Sequence, residues 1–308
     1  GGTAIYGASS GDNVFNTANW FLNGSFFTPV GDPLITYRLG RPQKLHYHAN
    51  DFLKGGAVEP VSISDAEYAA LGYASMLGGH RNARGASLIQ IRELMRLGLM
   101  IDVAHMSQET TDDVLVEATR GSGYPIMDSH TGVRADGVVS SDERSLLESQ
   151  ARIIAGLGGV LGIGTATRSD GAAALTSWVR DYSRMRALLG GRGVALGTDL
   201  NGLQSQLVST TVPSRYPIDV AVRRAPAWVI STVPALSQYR LGRRSFEGNR
   251  DGIAHYGMLP ELFQAVETVS ADASSGRLAG TEVVDSLFRS AEDVLRYWEA
   301  VQSAAARR

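Results

Sequence analysis

Cysteine is absent from the 308 residues of this chain. Its absence excludes disulfide frameworks, cysteine-type zinc ribbons and thiol nucleophiles. Six histidines and 31 acidic residues remain as the side chains that could bind a metal ion or move a proton. The sequence therefore offers imidazole and carboxylate groups, and no thiolates, as metal ligands.

Excess charge and long apolar runs are also missing. The formal net charge is −2, which does not indicate a nucleic-acid partner. No apolar stretch approaches the roughly 20 residues that span a bilayer, so the sequence predicts no membrane span. These absences leave the localisation open. A secreted or periplasmic location fits, and any export signal would precede Gly1.

The chain divides into two parts by its pattern. Residues 1–62 are rich in Gly, Asn, Phe and Pro and have no sustained period, which predicts an irregular N-terminal segment. A capping-box pattern at 64–67 then predicts a helix. We expect residues 63–308 to form a partial α/β barrel with C-terminal helices.

From residue 86 onward, helical patterns alternate with short apolar runs typical of buried strands. The predicted strands are LMIDVAH (99–105), PIMDSH (125–130), GVLGIGT (159–165) and GVALGTDL (193–200). Four helix-to-strand units in succession predict a parallel sheet. Neither a Gly-x-Gly-x-x-Gly turn nor a Walker lysine is present, so nucleotide-binding versions of this architecture are not indicated.

The predicted strands finish, in order, on His105, His130, Thr165 and Asp199. In a barrel of alternating strands and helices, the carboxyl ends of the strands form the active-site face. Neutral imidazoles and a carboxylate converging there suit zinc or a similar divalent ion. The alternative is that each histidine is a structural residue with ordinary hydrogen bonds.

These segments resemble the membrane (renal) dipeptidase family. The resemblance rests on LGLMIDVAHMS, YPIMDSHTGVR, RSLLESQARIIAGLGGVLGIG and GVALGTDLNG, which stand in the order and spacing of that family over roughly residues 80–204. It extends to DGIAHYGMLPELF and VVDSLFRSAEDVLRYWEAV, which are similar to the closing helices of long bacterial relatives. The resemblance implies a TIM-barrel metal-dependent hydrolase with two zinc ions, of which only the later strands are present here.

The resemblance also implies roles for individual residues. His105 and His130 match the two histidines that bind zinc from consecutive strands. Asp199 matches the aspartate that orients the attacking water or accepts its proton. Arg144 matches an arginine that holds the substrate carboxylate, for which its planar fork is suited. The alternative for Arg144 is an exposed residue at the start of a helix.

Two features of the family are not found in their expected places: a first-strand metal pair and a bridging glutamate. His46 and His48 have the alternating spacing of a metal pair, but the polar, proline-containing sequence before them favours a loop. Glu59 and Glu67 are poorer candidates for the bridging carboxylate. We therefore expect the chain to correspond to the C-terminal half of a larger protein.

Other candidates lie outside the strand ends. His255 and Tyr256 stand in a predicted loop that either folds over the site as a lid and binds substrate, or is merely ordered by its own contacts. His80 is expected to be structural. Trp178 and Trp298 fall on apolar helix faces and are predicted to be core residues.

Two functions follow from these observations. The first is a zinc-dependent hydrolase that cleaves a dipeptide or a small amide bond through a metal-activated water. The second is a catalytically incomplete half-barrel that acts as a binding or assembly module. Because half a barrel leaves sheet edges open, we expect an N-terminal segment, a second chain or another copy of this chain to complete it.

Overall fold

The computed structural model describes residues 86–138, 145–165, 171–200 and 256–308, together with the short pieces 43–45, 60–62, 66, 207, 240–241, 244–245 and 253. Of the predicted site residues, Arg144 and His255 lie outside the described residues. The other candidates outside them are His46, His48, Glu59, Glu67 and His80.

The helices of the described parts are α1 (Ala86–Arg96), α2 (Gln108–Ala118), α3 (Glu148–Gly156), α4 (Gly171–Leu188), α5 (Leu259–Glu267) and α6 (Gly280–Ala305). A 3-10 turn, Tyr256–Met258, leads into α5. The strands are β1 (Gln43–Leu45), β2 (Pro60–Ser62), β3 (Ile101–Asp102), β4 (Ile126–Thr131), β5 (Val133–Arg134), β6 (Leu146–Leu147), β7 (Val160–Ile163), β8 (Ala195–Leu196), β9 (Arg240–Leu241) and β10 (Arg244–Ser245). The predicted helix-to-strand alternation is confirmed from α1 to β8.

A four-stranded sheet with the order β3-β4-β7-β8 organises this alternation, and all its pairs are parallel. The predicted α/β class with a parallel sheet is therefore confirmed. Closure of these strands within a TIM barrel stays a prediction. Three further two-stranded pairs, β1-β2, β5-β6 and β9-β10, stand outside this sheet.

Local signals explain where the helices begin and end. The side chain of Ser107 accepts a hydrogen bond from the Thr110 amide, which caps α2 immediately after the His105 turn. Gly98, with φ 72°, follows the end of α1 and turns the chain toward β3. Helices and the strands of the parallel sheet therefore alternate along the chain, and the polar strand ends lie at one edge of the sheet.

The core lies between the sheet and its helices. Successive helices from α1 to α4 contact each other, and α6 packs on α4, α5, β7 and β8. Trp178 is 6% exposed, so its predicted core position is confirmed. The core prediction for Trp298 is wrong: this side chain is 50% exposed, because α6 turns the neighbouring Tyr297 inward instead.

No helix among the described residues has the length and apolar character required to cross a membrane.

Candidate metal centre

Three of the predicted site residues come together at the carboxyl edge of the sheet. Ligand atoms of His105, His130 and Asp199 all lie within 4.8 Å of one another, and each of the three residues is half-buried. His105 follows β3, His130 is part of β4 and Asp199 follows β8. The edge of a parallel sheet gathers these side chains, as the strand ends predicted.

The two imidazoles face each other through the same type of nitrogen. His130 Nε2 lies 2.6 Å from His105 Nε2, with the ring centroids 4.6 Å apart. Ligand nitrogens of a tetrahedral zinc ion are about 3.3 Å apart, given Zn–N bonds of about 2.0 Å. A small opening of the two rings would therefore accommodate one ion between them. The donor set of two imidazoles and a carboxylate fits zinc.

Backbone geometry marks two of the three residues. His105 has φ 64° and Asp199 has φ 49°, and they are the non-glycine residues of the described chain with positive φ. This left-handed conformation costs free energy for residues other than glycine and concentrates at functional sites. The two turns that position these side chains are therefore conformationally strained.

His130 is held from behind by its neighbour. The Ser129 hydroxyl lies 2.8 Å from His130 Nδ1, which leaves Nε2 to face His105. The Ser129 amide donates to Asp102 Oδ1 at 3.0 Å, and the same oxygen accepts from the Ala104 amide. Our sequence reasoning missed Ser129 and Asp102. An aspartate at a strand end commonly accepts a hydrogen bond from the amide two residues later, as Asp102 does from Ala104. This pattern could have found Asp102.

Asp128 is a further group that sequence reasoning missed. It is 2% exposed, and its carboxylate accepts hydrogen bonds from the His130 amide and the Thr131 side chain. Its Oδ1 is buried without a hydrogen-bond partner. Burial raises the pKa of Asp128 to about 8, and the charge of Asp102 adds to the effect. The pairing of β4 with β7 shifts register between Asp128 and Thr131, so these bonds brace an irregular strand end.

Two other predicted residues, Thr165 and Tyr256, are not part of the group formed by His105, His130 and Asp199. The Thr165 hydroxyl donates to the Thr198 carbonyl at 3.0 Å and ties the ends of β7 and β8 together, which is a structural contact. The Tyr256 side chain is 64% exposed on the 3-10 turn. Its role in substrate binding, and those of Arg144 and His255, stay predictions.

Comparison with known proteins agrees with the family resemblance. Residues 82–218 match the family model described as membrane dipeptidase, peptidase family M19. The resemblance predicted from the strand-end motifs is thereby confirmed over this segment, which contains His105, His130 and Asp199.

Individual relatives cover the chain only in part. A Klebsiella pneumoniae protein described as an uncharacterized protein in the pqqA 5' region is 29% identical over 125 residues, which are 38% of this chain and 44% of the relative. A metallo peptidase from Rhodobacter sphaeroides, liganded with a phosphinate mimic of the dipeptide L-Ala-D-Ala, is 23% identical with a TM-score of 0.35. The matched region is 41% of this chain and 36% of that peptidase. An amidohydrolase from Pseudomonas aeruginosa is 15% identical with a TM-score of 0.37, over 73% of this chain and 58% of its own. The matched parts span less than two thirds of each relative.

Proposed function

We propose that this chain carries part of the active site of a zinc-dependent hydrolase that cleaves a dipeptide or another small amide bond. The observation that carries the proposal is the meeting of His105, His130 and Asp199 within 4.8 Å at the sheet edge. The match of residues 82–218 to the membrane dipeptidase family supports it. In this proposal the four parallel strands are the later strands of a TIM barrel.

The chemistry assigns a task to each residue. His105 and His130 would hold the ion through their Nε2 atoms. A bound zinc ion supplies Lewis acidity and lowers the pKa of a water ligand to about 7. Asp199 would orient the attacking water, accept its proton on a carboxylate oxygen and pass that proton to the departing amine. Arg144, His255 and Tyr256 bind the substrate, with the Arg144 guanidinium paired to the substrate carboxylate.

The number of ions depends on further ligands. His105 and His130 provide two protein ligands, whereas a single catalytic zinc usually has three. A second ion, as the family resemblance implies, needs a metal pair and a bridging carboxylate from elsewhere. A preceding segment or a partner chain would supply both, and His46 and His48 are a further candidate for the metal pair alone.

Metal binding is the first test of the proposal. We expect the purified chain to bind zinc in competition with a chromogenic chelator, and we expect His105→Ala or His130→Ala to weaken binding by more than about 100-fold. His80→Ala is the matched control and should bind as the wild type does. A wild-type chain that binds no zinc, or an equal loss in all three variants, contradicts the metal centre.

Hydrolysis is the second test. The zinc-loaded chain is incubated with a panel of dipeptides that includes L-Ala-D-Ala, and free amino acids are measured. We expect turnover that a chelator abolishes, and that Asp199→Asn lowers by at least about 100-fold while zinc is still bound. Zinc binding without any turnover would contradict the catalytic part of the proposal for this chain alone.

A second candidate function is a binding or assembly module without activity of its own. Within the described sheet, β3 has β4 as its only partner, and Leu99 and Met100 beside β3 are 47% and 46% exposed. An open edge flanked by apolar side chains favours association with another chain or another copy. A zinc-free preparation that sediments as a dimer or larger species would favour this function.

A further inference from the structure

Ser129 is the residue on which all four strands of the parallel sheet converge. It belongs to β4, and its amide donates to Asp102 Oδ1 on β3 at 3.0 Å. Its carbonyl oxygen lies so close to Gly162 on β7 and to Gly197 after β8 that a Cβ atom at either position would overlap it. Glycine at these two positions lets the neighbouring strand ends approach Ser129 closely.

These contacts fix the backbone of Ser129 on both sides. The amide is anchored by a carboxylate, and a hydrogen bond to a charged acceptor is stronger than one between neutral groups. The carbonyl oxygen packs against the backbone of Gly162 and Gly197, and glycine has no side chain that could move away. The backbone that carries the Ser129 side chain is therefore held in place, and the hydroxyl lies 2.8 Å from His130 Nδ1.

A serine hydroxyl both donates and accepts hydrogen bonds, so it can pair with either form of the neutral imidazole, and only one of these forms leaves Nε2 open to a metal ion. With its proton on Nδ1, the His130 ring donates to Ser129 Oγ and presents a free electron pair at Nε2. That pair points to His105 Nε2, 2.6 Å away, where the donor must then be His105 in the absence of a metal ion. A histidine that binds a metal through one nitrogen generally donates its other N–H to a neighbouring acceptor.

We infer that Ser129 is a positioning residue, held by Asp102, Gly162 and Gly197, whose hydroxyl accepts the Nδ1–H of His130 so that Nε2 is available as a ligand. The inference rests on the proposed function for its use of that ligand. The tautomer itself is a property of the metal-free chain.

The first measurement needs no variant. Long-range ¹H–¹⁵N correlation spectra of the metal-free chain, at a pH where the ring is neutral, report which nitrogen of His130 carries the proton. We expect the Nδ1–H form to predominate. Spectra that show His130 protonated on Nε2 overturn the inference, whether or not the chain binds zinc.

The second measurement uses three variants, with folding verified by circular dichroism. In Ser129→Ala we expect both tautomers of His130 and zinc affinity lowered about 10- to 100-fold. Ser129→Thr keeps the hydroxyl and should restore the wild-type tautomer and affinity to within about threefold. The matched control is Ser183→Ala, which removes a buried hydroxyl whose contacts are with Val179 and Leu278. It should change neither quantity.

The outcomes separate the two proposals. If wild-type His130 carries its proton on Nδ1 and the chain binds no zinc, the metal centre fails and the role of Ser129 in the tautomer stands. If zinc binds tightly and Ser129→Ala keeps the wild-type tautomer and affinity, Ser129 is not a positioning residue. If the alanine variant does not fold, the wild-type and threonine spectra decide alone.

Discussion

At the scale of single residues, the candidate centre is built at a conformational cost. His105 and Asp199 both adopt positive φ, in turns that follow β3 and β8. A left-handed residue other than glycine costs about 1–2 kcal/mol. Such strain persists only where the surrounding contacts fix the backbone. Just before His105, the Asp102 carboxylate accepts a hydrogen bond from the Ala104 amide and so holds the turn.

This strain predicts an inverted preference between glycine and alanine at residue 105. In the presence of a chelator, we expect His105→Gly to be more stable than His105→Ala by about 1 kcal/mol, because only alanine retains the steric conflict of positive φ. Urea denaturation of both variants measures the difference. At His130, which has no positive φ, the same pair should show alanine as the more stable. Equal stabilities at residue 105 would show that its turn relaxes freely.

Some residues of the candidate site could be predicted from the sequence and others could not. His105, His130 and Asp199 could be predicted because each ends an apolar run, and parallel strands bring such ends to one edge. Ser129 and Asp128 could not, because their roles depend on a register shift in β4 and on close contacts with glycines of other strands. Those contacts have no periodicity and no fixed spacing along the chain.

At the scale of secondary-structure elements, the amphipathic patterns were sufficient for the long helices and the buried strands. The β5-β6 pair was not foreseen, because its strands have two residues each and show no alternation. The segment SLLESQARIIAGLG has the pattern of a helix, but Leu146 and Leu147 form β6 directly before α3. A Leu-Leu pair suits either structure, and the pairing with β5 decides between them.

Helix α5 contains a carboxyl group, that of Glu261, whose charged form is destabilised by burial. Both side-chain oxygens of Glu261 are buried without a hydrogen-bond partner. Burial raises the pKa of Glu261 from its usual 4.5 to about 7. The folded state therefore holds this proton more tightly than the unfolded state, so the stability contributed by the neutral form is lost as the pH rises from about 4.5 to about 7.

Replacing Glu261 with methionine should remove this pH dependence. At pH 5 we expect Glu261→Met to unfold at nearly the same urea concentration as the wild type. At pH 8 we expect it to be more stable by about 1 kcal/mol, since an apolar side chain of similar size needs no partner. Glu299→Met, at an exposed position of α6, is the control and should show no such divergence. A constant difference at all pH values would contradict the assignment to Glu261.

At the scale of the whole molecule, α6 joins distant parts of the described chain. The Tyr297 hydroxyl donates to the Ile101 carbonyl at 3.5 Å, and Gln302 Nε2 donates to the Gly98 carbonyl at 2.8 Å. Asp293 accepts a hydrogen bond from the Gly193 amide just before β8. Helix α6 therefore braces the start of β3 and the start of β8 together.

Two adjacent residues of α6 should respond very differently to truncation. Tyr297 is 1% exposed and Trp298 is 50% exposed. We expect Tyr297→Ala to lower the free energy of unfolding by about 3–5 kcal/mol, because it leaves a cavity beneath the sheet. We expect Trp298→Ala to change it by less than about 1 kcal/mol. Equal losses in urea denaturation would show that Trp298 is also covered, by a part of the chain or a partner that packs on it.

The bracing by α6 has a consequence for biosynthesis. The hydrogen-bonded pairs that join it to the beginning of the sheet are separated by 196 and 204 residues. At roughly 5–20 residues per second, a ribosome needs on the order of 10–40 s to make the intervening polypeptide. Throughout that interval α6 cannot cover the apolar surface on which Tyr297 and Val301 pack, so we expect the nascent chain to expose that surface until α6 has been made.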